Sequence, residues 1–352
     1  MELKIASSQL VVHMKFRECL DKEGLRLYAS ERAAGAKIRL DLTINPLGWP
    51  RGIENIVNSA GASDFANYSE PPELDELKKR LAERSGLGPA QIMLTAGADQ
   101  AIEIALSHIL NPKDKLGIVV PTFPRFEIVA RKLCDAEIVQ FRKLEEIQGC
   151  KAVCLCSPNN PTTDELDPAG LEETIRKNPG TFFIIDAVFS DFGSNDFSFL
   201  VGKFDNVAVL KSFSKSFGLP GIRVGWIESR EENIRAFMQG VSPFRVPTIC
   251  QKIALEAVKD GNHIKKSIEF TSAEYRKIKD EFGERVVRNS NVPFFLFLAD
   301  NPGKIKEELL EQGIDVVDSS FFKGTEKGFL RIAIGKEDEN KALVDALKKI
   351  LS

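Results

Sequence analysis

Between residues 91 and 228 the chain alternates short apolar runs with amphipathic stretches, and this alternation narrows the fold more than any other feature. Residues 92–95 read as a strand and 99–110 as a helix, then 115–120 as a strand and 123–133 as a helix. The pattern continues through a strand at 151–156, a helix at 167–177, and strands at 181–186, 207–211 and 223–228. Parallel strands need long crossovers, and helical crossovers cover both faces of the sheet, so the expected class is α/β with a mainly parallel sheet between helices. In such sheets ligands gather beyond the carboxyl ends of the strands.

A chain of 352 residues is longer than one hydrophobic core usually serves, so a large domain with a smaller companion is expected. The C-terminal third carries longer helical stretches (249–258 and 264–282), two strand-like runs and a final helix at 338–351. The expected division is a large domain at 36–245, a small α/β domain at 246–352, and a segment at 1–35 packing with the small domain or a partner subunit. The 48 basic and 51 acidic residues give a net charge of -3, which offers no field to attract nucleic acid or an anionic membrane. Apolar runs such as 292–299 are far too short to span a bilayer, and residues 1–16 lack the pattern of a secretory leader, so a cytoplasmic protein is expected. The six cysteines form no paired C-x-x-C arrangement, and Cys154 and Cys156 read as buried strand residues, so no metal site is expected. His13, His108 and His263 stand apart from one another and mark neither a triad nor a zinc helix.

The chemistry gathers at the strand ends. After the apolar run 207–210 comes Ser212-Phe-Ser214-Lys215-Ser-Phe-Gly-Leu-Pro-Gly-Ile-Arg223-Val-Gly, where hydroxyls and two cations crowd one turn. A lysine forms an imine with an aldehyde when poor solvation and nearby cations lower its pKa. Arg223, Ser212 and Ser214 suit a phosphate. Alone, a lysine among serines is a solvated loop, so the surrounding pattern decides its meaning. Asp186 ends a buried-looking strand, as a helix cap or as a functional acid. Gly97, Ala98 and Asp99 open a helix, where free N–H groups and the helix dipole favour an anion, although an ordinary cap explains them too. Phe123 lies at a strand-to-helix junction, Asn160 in a turn after a strand, and Arg331 in the alternating run 328–335.

Together these segments resemble, in family order, the motifs of the fold-type I pyridoxal 5′-phosphate (PLP) enzymes, the class I/II aminotransferases, and especially their histidinol-phosphate aminotransferase branch. The resemblance covers residues 40–335. It implies that PLP is held as a Schiff base on Lys215, with Asp186 paired to the ring nitrogen and Asn160 donating to the phenolic oxygen. It further implies phosphate contacts from Gly97, Ala98, Asp99, Ser212, Ser214 and Arg223, and a stacking role for Phe123. Arg331 would grip a substrate carboxylate, and Asn45, in Asn45-Pro-Leu-Gly48, would contact substrate. Tyr68 would reach the phosphate of an adjacent subunit, which makes the expected active unit a homodimer. The implied reaction moves the amino group of a small amino acid to a 2-oxo acid.

Three segments depart from that pattern. Phe189 stands where a tyrosine is usual, removing a phenol donor, a change shared with phosphothreonine decarboxylases. Thr163 replaces a glycine, and because a β-branched residue resists positive φ, a different loop is expected there. Val317 and Asp318 occupy the region where phosphate-substrate members place an arginine, and an acid there should repel a substrate phosphate unless Arg125 or Lys323 substitutes. A PLP-dependent decarboxylase and a non-catalytic PLP-binding homologue are therefore kept as alternatives.

Overall fold

The protein is described from a computed structural model, which covers residues 35–68, 73–325 and 328–352. The expectation for the first 34 residues lies outside the described residues. Strand β1 is Ile38–Arg39, followed by β2 (Ile92–Thr95), β3 (Lys115–Val119), β4 (Glu137–Phe141), β5 (Ala152–Cys156), β6 (Phe182–Asp186), β7 (Val207–Ser212) and β8 (Gly225–Ser229). Strands β2 to β8 form one seven-stranded sheet in the order β2-β8-β7-β6-β5-β3-β4. Every neighbouring pair is parallel except those made by β8, which runs against both β2 and β7.

This sheet is buried on both faces, and its strands alternate between the two cores accordingly. Cys154, Cys156, Ile184, Ala208 and Leu210 join the helices Gly97–Ile109 and Arg125–Leu133 on one side. Val153, Leu155, Phe183, Ile185 and Val209 meet Leu171 and Ile175 of the helix Pro168–Lys177 on the other. The two strand cysteines are buried, and burial pushes both thiols well above their ordinary pKa. Among the described residues no cluster suits a metal ion and no helix is long and apolar enough to cross a membrane.

The second unit is an antiparallel sheet in the order β12-β13-β10-β9, built from β9 (Val286–Val287), β10 (Phe294–Leu298), β12 (Val317–Asp318) and β13 (Phe329–Ala333). β11 (Ile314–Asp315) lies outside it and pairs in parallel with β1. Residues 38–40 therefore join the C-terminal core, where Leu40 is buried, although the sequence reading places them in the large domain. Conversely, the helix Thr248–Val258, expected in the small domain, packs through Ile253, Ala254 and Ala257 against Leu77, Leu81 and Trp226 of the large unit. The helix Gly261–Phe282 joins the two, with Ile264 in the large unit's core and Ile278 in the C-terminal one.

Candidate active site

Strand direction brings the predicted residues to one edge. β2, β3, β5, β6 and β7 all end there, delivering Gly97, Phe123, Asn160, Asp186 and Lys215 in turn. β8 runs the other way, so its beginning arrives at the same edge, and Gly225 is registered against both Thr95 and Ser212. Arg223 lies two residues before it. A Cβ on Gly225 would press on the Gly97 carbonyl carbon at 2.7 Å and on the Ala98 nitrogen at 2.9 Å, so only glycine lets the strand meet the helix start so closely.

This junction forms a cradle for an anion. Gly97, at φ +78°, opens the 13-residue helix, and the Arg223 guanidinium occupies the space a side chain on Gly97 would take. Ser212 and Ser214 are buried with their hydroxyls 2.9 Å apart. The Asp99 carboxylate pairs with Arg223 at 3.5 Å and Arg125 at 3.6 Å, so only the backbone N–H of this residue suits a phosphate.

The two titrating groups lie deeper. Burial raises the Asp186 carboxyl to about 7, against one opposing hydrogen bond from the Val188 N–H at 3.1 Å. The Lys215 side chain is partly accessible, but protein surrounds its amine, and burial followed by the Arg331 charge lowers it to about 8. That amine donates to the Thr43 hydroxyl and, at 3.3 Å, to the Thr43 carbonyl, and it lies 5.5 Å over the Phe189 ring. Phe189 itself is held in an apolar cluster, edge-on to Phe294 at 5.3 Å, which leaves no phenol at this position.

Arg331 is buried, with 2% of its surface exposed, and has no carboxylate partner among the described residues. It donates to the Asn160 carboxamide oxygen at 3.0 Å and to the Asp41 carbonyl, while its buried Nε has no partner. A buried guanidinium in this condition calls for an anion. Because Asn160 must present oxygen to Arg331, its NH2 points elsewhere as a donor. The neighbouring Asn159 is engaged within the loop, with Thr122, Pro121 and Thr162.

Several expectations need correction. Thr163 does adopt the left-handed conformation, at φ +68°, so the loop keeps the shape that the usual glycine would give it. The strain is held by Asn289, whose N–H donates to the Thr163 hydroxyl at 2.8 Å, and by Ser290, whose hydroxyl donates to the Thr163 carbonyl at 2.6 Å. Asn45 is engaged with backbone: its NH2 donates to the Ser216 carbonyl at 3.0 Å and its oxygen accepts the Leu47 N–H at 3.0 Å. These bonds anchor the lysine loop to the Asn45 segment. Asp318 is opposite Leu330, caps Ser320 at 2.8 Å and faces Lys306 at 3.8 Å, while Val317 is the residue opposite Arg331.

Phe123 is half-buried, edge-on to Phe126 at 5.8 Å. Tyr68 is exposed and stacks on Phe244, with ring centroids 4.4 Å apart. Sequence reasoning missed Thr43 and Asp41. Their signal is an inverted alternation: Asp41, Thr43 and Asn45 are buried, whereas Leu42, Ile44 and Leu47 are exposed.

These features fit PLP. A buried carboxylic acid, a depressed amine, an anion cradle at a helix start and an unpaired guanidinium provide partners for a ring nitrogen, an aldehyde, a phosphate and a substrate carboxylate.

Residues 47–347 match the family model described as aminotransferase class I and II. Histidinol-phosphate aminotransferase 1 of Archaeoglobus fulgidus is 28% identical over 325 residues, covering 89% of this chain and 99% of that protein. The structure of histidinol-phosphate aminotransferase from Sinorhizobium meliloti in complex with pyridoxal-5′-phosphate superimposes with a TM-score of 0.81 at 19% identity, over 90% of each chain. L-threonine-O-3-phosphate decarboxylase from Porphyromonas gingivalis gives 0.75 at 21%, over 89% of this chain and 99% of that one. At these identities the two structural likenesses speak to fold.

Proposed function

This chain belongs to the class I and II aminotransferases, enzymes that transfer amino groups, and from that premise we propose that it uses PLP on Lys215 to exchange an amine between an amino acid and a 2-oxo acid. The observation that carries the reading is the convergence at one sheet edge of the Lys215 amine, the buried Asp186 carboxyl, the Gly97–Arg223 anion cradle and the buried Arg331 guanidinium. When bound, PLP supplies an aldehyde that condenses with amines and a ring that withdraws electrons from the substrate Cα.

The protein's own groups do the rest. A pKa near 8 leaves a sizeable neutral fraction of Lys215 at physiological pH, so its Nζ serves as nucleophile and then as the base that takes the Cα proton and returns it. Asp186 gives up its proton more readily with a cation beside it and holds the ring nitrogen protonated. The Gly97 to Asp99 backbone, Ser212, Ser214 and Arg223 hold the phosphate. Phe123 covers a ring face, Asn160 donates to the ring oxygen, and Arg331 takes the substrate carboxylate through its fork.

A homodimer belongs to this proposal. Ile44, Leu47, Trp49, Val57, Phe65, Tyr68 and Phe244 leave an apolar surface beside the site, which suits a second copy, with Tyr68 reaching the phosphate across it. In the full cycle nitrogen moves from donor to oxo acid and oxygen moves back, with no net oxidation. The decisive experiment follows amine exchange and carbon dioxide release by purified protein, beside Lys215→Ala. Exchange that vanishes in the variant supports the reading; carbon dioxide without exchange transfers the enzyme to the decarboxylases.

A further inference from the structure

Resting on the assignment of Arg331 to the substrate carboxylate, we infer that the amino donor carries an apolar, unphosphorylated side chain and that Val317 selects it. The argument begins with register. Val317 on β12 and Leu296 on β10 are the residues directly opposite Arg331 on β13. Opposed residues of antiparallel strands project on the same face, about 4.5–5.5 Å apart at Cβ. Arg331 therefore rises between two apolar side chains.

Alternation defines the rest of that face. Phe295, Phe297, Leu330 and Ile332 turn to the helices of the C-terminal core. The opposite face carries Leu296 and Phe329, packed with Phe322 and flanked by Val317. The Arg331 guanidinium carbon lies 5.8 Å from the Phe294 ring and 5.9 Å from the Phe322 ring. One cation is thus set in an aromatic and aliphatic surface.

A carboxylate needs one guanidinium fork; a donor that also bore a phosphate would bring further negative charge. Cations on the adjoining elements are already engaged. Lys306 faces Asp318 at 3.8 Å, Lys323 pairs with Glu127 at 2.7 Å, and Arg125 binds Glu103 and lies 3.6 Å from Asp99. Lys323 and Glu127 line a cavity of about 170 Å³ together with Ile118, Val120, Phe123 and Phe321. A phosphate placed on this face would lose water without gaining a partner, whereas an apolar group would lose nothing.

The test uses the cofactor-loaded full chain and follows the single-turnover change in its visible absorbance. L-leucine, L-phenylalanine, L-aspartate, O-phospho-L-threonine and L-histidinol phosphate serve as donors. Leucine or phenylalanine is expected to exceed both phosphorylated donors in kcat/KM by at least roughly tenfold. Val317→Arg should move that ratio toward the phosphorylated donors by at least roughly tenfold, since it supplies the missing cation. Should arginine not be accommodated, Val317→Thr, nearly equal in shape, should raise KM for leucine and phenylalanine severalfold relative to KM for aspartate, a shift in selectivity that a merely structural role would not give. A faster reaction with either phosphorylated donor in the wild-type chain overturns the inference while leaving transamination standing. An unchanged ratio in Val317→Arg that still takes up the chromophore also overturns it. If no amine alters the absorbance of a chain carrying the chromophore on Lys215, the aminotransferase reading itself fails, and the inference with it.

Discussion

Lys215 and Thr43 are 172 positions apart in the chain, yet the ε-amine of one donates to the hydroxyl of the other. A hydroxyl that accepts from an ammonium favours the charged form. It therefore opposes the burial that pushes this amine down to about 8. Thr43→Val should lower the amine further, by on the order of half a unit to one unit, and Thr43→Ser should restore it. Acylation of Lys215 in the cofactor-free protein, followed against pH by mass spectrometry, reads the shift directly. An unmoved profile would show that the hydroxyl has no hold on the amine.

The second prediction concerns Asp186. Its carboxyl titrates near 7 when folded and near 3.8 otherwise, so between those values the folded chain keeps a proton that the unfolded chain releases. Stability then falls as pH rises through this window and reaches its low plateau above about 7. In the cofactor-free protein Asp186→Asn should remove that slope and add on the order of 1–3 kcal/mol of stability at pH 8. The same substitution should lower turnover of the loaded enzyme by roughly a hundredfold or more, because the ring nitrogen loses its counter-ion. Urea unfolding at pH 5 and pH 8, paired with single-turnover rates, separates the two effects.

Thr163 tests the strained loop. Its hydroxyl and carbonyl tie the Asn160 segment to Asn289 and Ser290, at a φ that disfavours a β-branched residue. Thr163→Val keeps the strain and loses the part-buried hydrogen bond from the Asn289 N–H, at a cost of about 0.5–1.5 kcal/mol. Thr163→Ser keeps both bonds and should behave like the parent. Thermal unfolding, with the absorbance of the bound chromophore as a reporter on Asn160, distinguishes the pair.

Lys211 is a buried lysine four positions before the proposed Schiff-base residue. It binds Asp196 at 2.8 Å and Ser198 at 2.7 Å, 3.5 Å from Glu228, which also accepts from Trp226 at 2.8 Å. Removing it by Lys211→Met leaves a buried carboxylate uncompensated and should cost about 3–5 kcal/mol. Glu228→Gln in the same chain should recover some of the loss. Borohydride trapping and peptide mapping should still find the chromophore on residue 215 in Lys211→Met. Labelling at 211 in the parent chain would reverse the assignment.

Much of this organisation could be read in the sequence because doubly buried strands are continuous apolar runs with a functional residue at their ends, as in β6 ending at Asp186 and β7 leading to Lys215. β4 escaped notice because it lies at the sheet edge and is only partly buried, so its pattern is weak. The short strands β9, β11 and β12 are two residues each, below the length at which periodicity carries information. The residues proposed to face the cofactor stand out as motifs, whereas Thr43 and Asp41 do not, because the usual reading of alternating residues sends the apolar ones inward. Asp318 misled for a related reason. Which of two adjacent residues faces Arg331 depends on strand register, and only the β12 to β13 pairing decides it.

The inverted alternation at 41–47 makes one thin ribbon serve two masters. Its inner edge steadies the reactive amine and, through the Asp41 carbonyl, the carboxylate clamp, while its outer edge is greasy and half-bare in a single chain. If the proposed dimer covers that outer edge, dilution far enough to separate its copies should slacken Thr43, so that potency per molecule would rise with protein concentration and then plateau.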